Sequence, residues 1–329
     1  MGEWLRDCVE NHSDCPRNSL STLPTRVLYV DPDSNKLRLV VTNGKRGNYV
    51  ALSHCWGSIM PLKLTASTLH GYASEISMEA LPKTFQDAVI IAKNLRIHYI
   101  WIDSLCILQD SPGDWESESG RMADVYTNAL VTIAADQSAD CTGGIFAERG
   151  EEDAKSLPIQ VASCSCSYCT VFARWRRRRF YPFANHAADH FPARSGLHSR
   201  GWTLQERLLS TRMLHFTPTE LVWECTTQIS CECRIAGLVP GQHLIFKRAF
   251  VHPIQESEAS NHKMGGQIAR RIHGPLVDDV GQDHTGLTQL HWQLVIYEFT
   301  ARSLSVETDR LPALSGIANL ICRRSSQTY

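Results

Sequence analysis

Three carboxylates sit where a chain does not usually place them. A helical wheel at about 100° per residue over the stretch 112–129 groups Met122, Val125, Tyr126 and Ala129 into an apolar stripe. Glu118 falls inside that stripe, while Glu116 and Asp124 point elsewhere. On a second helical stretch, "SRGWTLQERLLS", Glu206 lies four residues after Trp202 and three before Leu209, again on the apolar side, with Arg207 facing away. Asp103 ends the apolar run "YIWID", the place where open α/β sheets carry their ligand sites. An unpaired buried carboxylate costs several kcal/mol, so each acid requires a cation, hydrogen-bond donors or an abnormal titration. Each also has a purely structural use: Asp103 as a turn cap, Glu118 against the positive end of its helix, Glu206 paired with Arg200 or Arg212. A fourth feature is "YVALSHCWG" at 49–57, an apolar run that stops abruptly at Ser53, His54, Cys55, Trp56 and Gly57. Together these residues suggest one polar cleft.

Other chemistries are weaker. Cys55 or Cys106 with His54 or His98 would make a nucleophile and base, but His54 and Cys55 point to opposite sides of one strand. There is no phosphate-cradling G-x-x-x-x-G-K-[ST] motif and no G-x-G-x-x-G after the first strand. Cys8, His12 and Cys15 form C-x3-H-x2-C, Cys164, Cys166 and Cys169 form C-x-C-x2-C, and Cys231 and Cys233 add C-x-C; thiolate and imidazole at such spacing can share a zinc ion. The alternative for every one of the 12 cysteines is an inert, reduced thiol, and no disulfide framework is expected. "RWRRRR" at 174–179 could grip phosphates, yet a charge-guarded loop or edge explains it more simply, and nucleic acid is not the expected partner.

The elements that must position these groups follow from periodicity. Strand "YVALSHCW", helix "PKTFQDAVIIAKNLRI", strand "HYIWID", helix "SPGDWESESGRMADVYTNA" and strand "LVTIAA" alternate in the manner of a parallel sheet covered on both faces. Pro82 suits a first helical turn, and Ser111 with Asp114 is spaced as a capping box. "RMLHFTPTELVWEC" reads as a hairpin turning at Thr217 and Pro218, residues 234–288 as polar loops, and "LTQLHWQLVIYEFTARSL" as an amphipathic helix. The expected fold is therefore α/β, an open, mostly parallel sheet flanked by helices, with extra β-hairpins and a helical C-terminal segment. Residues 1–48 form a lead-in, 49–225 the main domain and 226–329 a loop-rich and helical tail. With 33 Lys plus Arg against 34 Asp plus Glu, the charge of −1 gives no overall pull toward nucleic acid or anionic membrane. No signal peptide or long apolar run is present, so a cytoplasmic location without membrane contact is expected.

Three blocks, "YVALSHCWG", "LPKTFQDAVIIAKNLRIHYIWIDSLCILQDSPGDWESESGRMADVYTNALVTIAA" and "RGWTLQERLLS", occur in the order seen in the fungal heterokaryon incompatibility (HET) domain, which this chain resembles over about residues 49–210. "WLRDCVENHSDC … LPTRVLYV" is similar to that family's lead-in, and "TDRLPALSGIA" to the segment that often follows the domain. Long members continue well past that segment, so a short or truncated form is expected. The resemblance implies a role in non-self recognition, with growth arrest and cell death when incompatible hyphae meet, carried out with protein partners of the incompatibility system and by homo-oligomerisation. It also implies a distant likeness to TIR domains, some of which cleave NAD+ with a glutamate in a cleft. Carried over, Glu118 becomes the candidate catalytic acid, with Asp103 and Glu206 beside it. Ser53, Trp56, Gly57, Arg200 and Trp202 become the candidate lining for NAD+ as substrate, and zinc at Cys8, His12 and Cys15 the second possible cofactor.

Overall fold

A computed structural model describes residues 1–17, 20–57, 62–146, 157–161, 169–173, 196–218, 220–232, 247, 292–293 and 295–325. The arginine run, Cys164, Cys166, Cys233 and nearly all of 234–288 lie outside these residues.

The spine is a nine-stranded open sheet. Its strands are β2 (Arg26–Val30), β3 (Lys36–Val41), β5 (Tyr49–Ser53), β6 (Ile76–Ser77), β7 (Tyr99–Trp101), β8 (Val131–Ala134), β11 (Arg212–Phe216), β12 (Leu221–Cys225) and β13 (Ile229–Cys231), in the order β13-β12-β11-β8-β5-β7-β2-β3-β6. The four central strands β11, β8, β5 and β7 run parallel, as expected from the alternating pattern, and the flanking pairs are antiparallel, so the sheet is mixed. Parallel strands must be buried on both faces, and every residue of β5 and β8 is. Two small hairpin-like pairs stand apart, β1 (Ser21–Thr22) with β4 (Arg46–Gly47) and β9 (Leu157–Val161) with β10 (Cys169–Ala173).

The two-residue period of β5 sorts the layers. Tyr49 donates to the Val125 carbonyl at 2.5 Å and Ser53 reaches Glu206, so the odd positions face the helices α6 (Met122–Asn128) and α7 (Trp202–Leu209). His54, on the even side, meets Phe85 edge-on at 5.0 Å, which puts α3 (Lys83–Asn94) on the opposite face. α3 buries Phe85, Ala88, Val89, Ile91 and Ala92 there, a stripe at helical spacing as the sequence predicts. The C-terminal helix α8 (Pro312–Ser325) packs on α6 and α7, so closely that a Cβ on Gly316 would lie 2.6 Å from Ala123 Cβ and 2.7 Å from Gln205 Oε1. A glycine there is a packing requirement.

The expected single helix over 112–129 is two: α5 (Pro112–Ser119) and α6. Gly120 is a poor helix former, and at the joint the Arg121 N–H bonds the Glu118 carbonyl three residues back instead of four, tightening the turn and shifting the wheel's phase. Ser111 caps α5 by accepting from the Asp114 N–H at 3.3 Å, but the Asp114 carboxylate answers Arg26 at 2.5 Å and the Leu108 N–H at 2.8 Å, so the box is not reciprocal. The strands of the lead-in, β2 and β3, sit in the same sheet as the blocks that follow them. Among the described residues, no helix is long and apolar enough to cross a membrane.

Candidate functional site

Strand order places the polar groups. The chain goes from β5 to β7 on one side and then to β8 on the other, so the carboxyl end of β5 is where the connections diverge, the position at which open α/β sheets carry their ligand sites. Ser53 is the last residue of β5, beside Ala134 at the end of β8; Asp103 lies two residues beyond β7 and Asp136 two beyond β8.

Three hydrogen bonds draw the edge together. The Ser53 hydroxyl donates to Glu206 Oε2, Trp56 Nε1 donates to Asp103 Oδ2 at 2.8 Å, and the Arg200 guanidinium donates to the His54 carbonyl. The Tyr126 phenol also bonds Glu206 and lies 3.3 Å from the Leu52 carbonyl. Asp103 Oδ1 accepts from the Ser104 N–H at 2.7 Å, and its side chain remains 20% exposed, which leaves it the most open acid of the group. Lys63 Nζ lies 5.3 Å from the centre of the Trp56 ring, a cation–π distance.

The electrostatics follow from burial. Loss of water pushes the Glu206 carboxyl up to about 7, and Asp103 pushes it the same way, against the pull of Ser53 and Arg200. His54 is driven down to about 4 by burial, with Asp103 opposing and Arg200 adding to the fall, so it is neutral at pH 7. Its Nδ1 stands 3.9 Å from Asp103 Oδ1, too far for a hydrogen bond, and its Nε2 has no hydrogen-bond partner among the described residues. Burial holds the Cys55 thiol up at about 11 and Cys106 at about 12, which keeps both in the thiol form at pH 7.

Glu118 is buried, as the wheel predicts, but its contacts are of another set. Its Oε1 accepts from Thr25 Oγ1 at 2.8 Å and lies 3.5 Å from Arg121 NH1. Trp202 also turns elsewhere, donating from Nε1 to Asp309 Oδ2 at 3.0 Å. Ser53, Trp56, Asp103, Arg200 and Glu206 are therefore brought together, Glu118 and Trp202 are engaged by other partners, and Gly57 makes the turn after Trp56. Gly57 adopts φ +67°, and a Cβ there would lie 2.3 Å from Asp140 Cβ and 3.1 Å from the Ala139 carbonyl oxygen. Gly57→Ala is expected to lower stability by about 1–3 kcal/mol through strain alone, read as a shift of the urea midpoint with an unchanged slope.

A second polar group was not anticipated from sequence. Behind the edge, Asp136 bonds Nδ1 of both His198 and His215 at 2.8 Å, and His215 Nε2 meets Glu224 Oε2 at 3.0 Å. Arg207 Nε lies 3.3 Å and Lys247 Nζ 3.5 Å from the same Glu224 carboxylate; Arg207 is slightly exposed and the other side chains of the group are buried. The one sequence signal for it was "LVTIAAD", which ends a strand on an acid just as "YIWID" does. Cys8, His12 and Cys15 do converge, and they do so with Cys225.

An open α/β sheet covered by helices on both faces, with polar groups at the carboxyl ends of its parallel strands, defines an α/β protein. The chain carries a heterokaryon incompatibility domain: residues 49–206 match the family model described as Heterokaryon incompatibility protein (HET). Comparisons with curated proteins and with solved structures found no match.

Proposed function

We propose that this chain is an effector of fungal non-self recognition, triggering growth arrest or programmed cell death through self-association of the domain and contact with protein partners. The observation that carries this reading is the joining of the three HET blocks at one edge. Ser53, His54 and Trp56 come from the first, Asp103 from the second, Arg200 and Glu206 from the third, and each block is hydrogen-bonded to another. A family role in heterokaryon incompatibility supplies the context.

A second reading, NAD+ glycohydrolase, is favoured by one feature, the partly open Asp103 carboxylate held against the Trp56 indole. In that chemistry the ribosyl C1′–N bond breaks and its electron pair neutralises the pyridinium as nicotinamide leaves. The carboxylate stabilises the ribosyl cation, and water adds to it and gives up a proton. Glu118, nominated by the resemblance, is tied to Thr25 and Arg121, so Asp103 is the stronger choice on geometry.

The test is inducible expression of wild type, Asp103→Asn and Glu118→Gln at matched soluble levels, with melting temperatures compared and NAD+ followed before viability falls. The effector reading expects growth arrest with an unchanged NAD+ pool, and absence of any arrest from folded wild type would end it. The enzyme reading expects NAD+ to fall first, and Asp103→Asn to slow that fall by roughly a hundredfold or more, with Glu118→Gln close to wild type.

A further inference from the structure

We propose that Cys8, His12, Cys15 and Cys225 bind one structural zinc ion that fastens the N-terminal helix to the β12 end of the sheet. The three N-terminal groups come from one short path. α1 (Gly2–Asn11) carries Cys8, and His12, the residue that ends it, stands four positions on and so on the same side of the chain. The next turn brings the Cys15 N–H to 3.4 Å from the His12 carbonyl and delivers the second thiol. The fourth group arrives from a distance of 210 residues in sequence, at the last position of β12.

The geometry is that of a tetrahedral ion. The four donor atoms all lie within 4.8 Å of one another, with His12 Nδ1 at 3.4 Å from Cys225 Sγ and 3.8 Å from Cys15 Sγ. Zinc bonds of about 2.3 Å to sulfur and about 2.0–2.1 Å to nitrogen imply tetrahedral edges of about 3.6 Å between nitrogen and sulfur. The two measured edges straddle that value. None of the three cysteines is in a disulfide, and three thiols could not all be paired by one.

N–H donors face two of the three sulfurs. The Gln228 backbone N–H donates to Cys225 Sγ at 3.3 Å and Arg212 Nε donates to Cys8 Sγ at 3.2 Å. Asp7 Oδ2 stands 3.6 Å from His12 Nε2, the nitrogen remote from the sulfurs, and so favours the tautomer that leaves Nδ1 free to ligate. On binding, each thiol gives up its proton and the imidazole ligates neutral, so the ion and its ligands carry −1, which the Arg212 guanidinium beside Cys8 offsets. Cys8 and Cys225 are fully buried, Cys15 is 3% exposed and the His12 side chain 9%. With four protein ligands and no open face, the site is a closed, structural one. Asp136, His198 and His215 also cluster, but there both imidazole Nδ1 atoms already bond separate oxygens of one carboxylate at 2.8 Å, so that group is satisfied without an ion.

The full chain, expressed with zinc in the medium and purified without chelator, is expected to carry about one zinc per molecule. Cys225→Ser is expected to lower that content at least about tenfold, while Cys322→Ser, on the C-terminal helix, leaves it unchanged. Because the Cys225 variant could lose metal simply by unfolding, the wild type is also pulse-alkylated and read by mass spectrometry. Cys8, Cys15 and Cys225 are expected to be protected until a chelator is added, and Cys322 to react equally with and without it. Cobalt loaded in place of zinc is expected to give tetrahedral d–d bands with sulfur-to-metal charge transfer. Wild type purified essentially zinc-free, equal alkylation of the three cysteines with and without chelator, or a cobalt spectrum without thiolate bands would each overturn the proposal.

Discussion

Glu206→Gln is expected to make the folded domain more stable than wild type at pH 8, by up to about 3 kcal/mol, and to be close to neutral at pH 5. In the folded chain burial raises the Glu206 carboxyl to about 7 from an ordinary value near 4.5. A group whose folded pKa is raised contributes its full stability below the unfolded pKa and loses it as pH rises through the folded one. The loss therefore runs from about pH 4.5 to about pH 7 and levels off beyond. Some 2.5 pH units at about 1.4 kcal/mol each give the stated size. Glutamine is uncharged at every pH, has nearly the same volume, and its amide oxygen can still accept from Ser53, so the penalty is removed and the contact kept. Urea unfolding of both proteins from pH 5 to pH 8.5 measures it. A difference that stays flat with pH would mean that the carboxylate is compensated as it stands. The histidines shape the other limb: His54 and His198 are held to about 4 by burial, so below about pH 6.5 protons bind the unfolded chain first and stability falls in both proteins alike, until about pH 4.

If that stabilisation is measured, Glu206 becomes a candidate for a role other than folding. Under the effector reading the folded, more stable Gln variant should fail to arrest growth. Full arrest by that variant would leave Glu206 as a structural tie between α7 and β5 and nothing more.

How far the sequence reaches can be seen in individual residues. Glu206 and Glu118 were legible as inward acids because a helix repeats every 3.6 residues, and both are buried. Asp103 was legible because a parallel strand ends on it. What a one-dimensional pattern cannot hold is the identity of a partner far along the chain. Ser53 meets Glu206 153 positions on, across a sheet in which β7 and β8 are laid on opposite sides of β5. Glu118 shows the same limit from the other side: periodicity buried it correctly but could not say that Thr25, 93 positions back, would be its donor. The joint at Gly120 escaped because a poor helix former is a weak signal beside a continuous apolar stripe. Cys225 escaped because three members of that cluster lay close in sequence and the fourth did not. The Asp136 group escaped because each member, taken alone, resembles an ordinary strand end or strand interior.

That last group carries the largest expected loss of stability. Asp136→Ala is expected to cost about 3–5 kcal/mol, the size typical of removing one partner from a buried ionic network. Set against a total of about 5–15 kcal/mol for a whole protein, this is a large share of the folding free energy. Burial raises the Asp136 carboxyl, but His198 and His215 outweigh it and hold the group well below the ordinary range, so it is charged in the fold. Burial likewise lowers His215, and Asp136 together with Glu224 overrides it, leaving its pKa raised. Alanine would take the Asp136 acceptor from both imidazole Nδ1 atoms in a buried space and leave Glu224, which Arg207 and Lys247 already share, as the carboxylate that His215 meets among the described residues. Asp136→Asn is the informative companion. Its amide oxygen can accept from His215, and its amide N–H can donate to Nδ1 of His198, which is neutral at pH 7. Only the charge is lost, and the expected cost falls to about 1–2 kcal/mol. Urea midpoints at pH 7 for the three proteins decide the matter. Equal losses for the Ala and Asn variants would show that the carboxylate acts through its charge alone, and a loss under about 1 kcal/mol for Ala would mean that water replaces the acceptor and the network does not hold β8, β11 and β12 together at this end of the sheet.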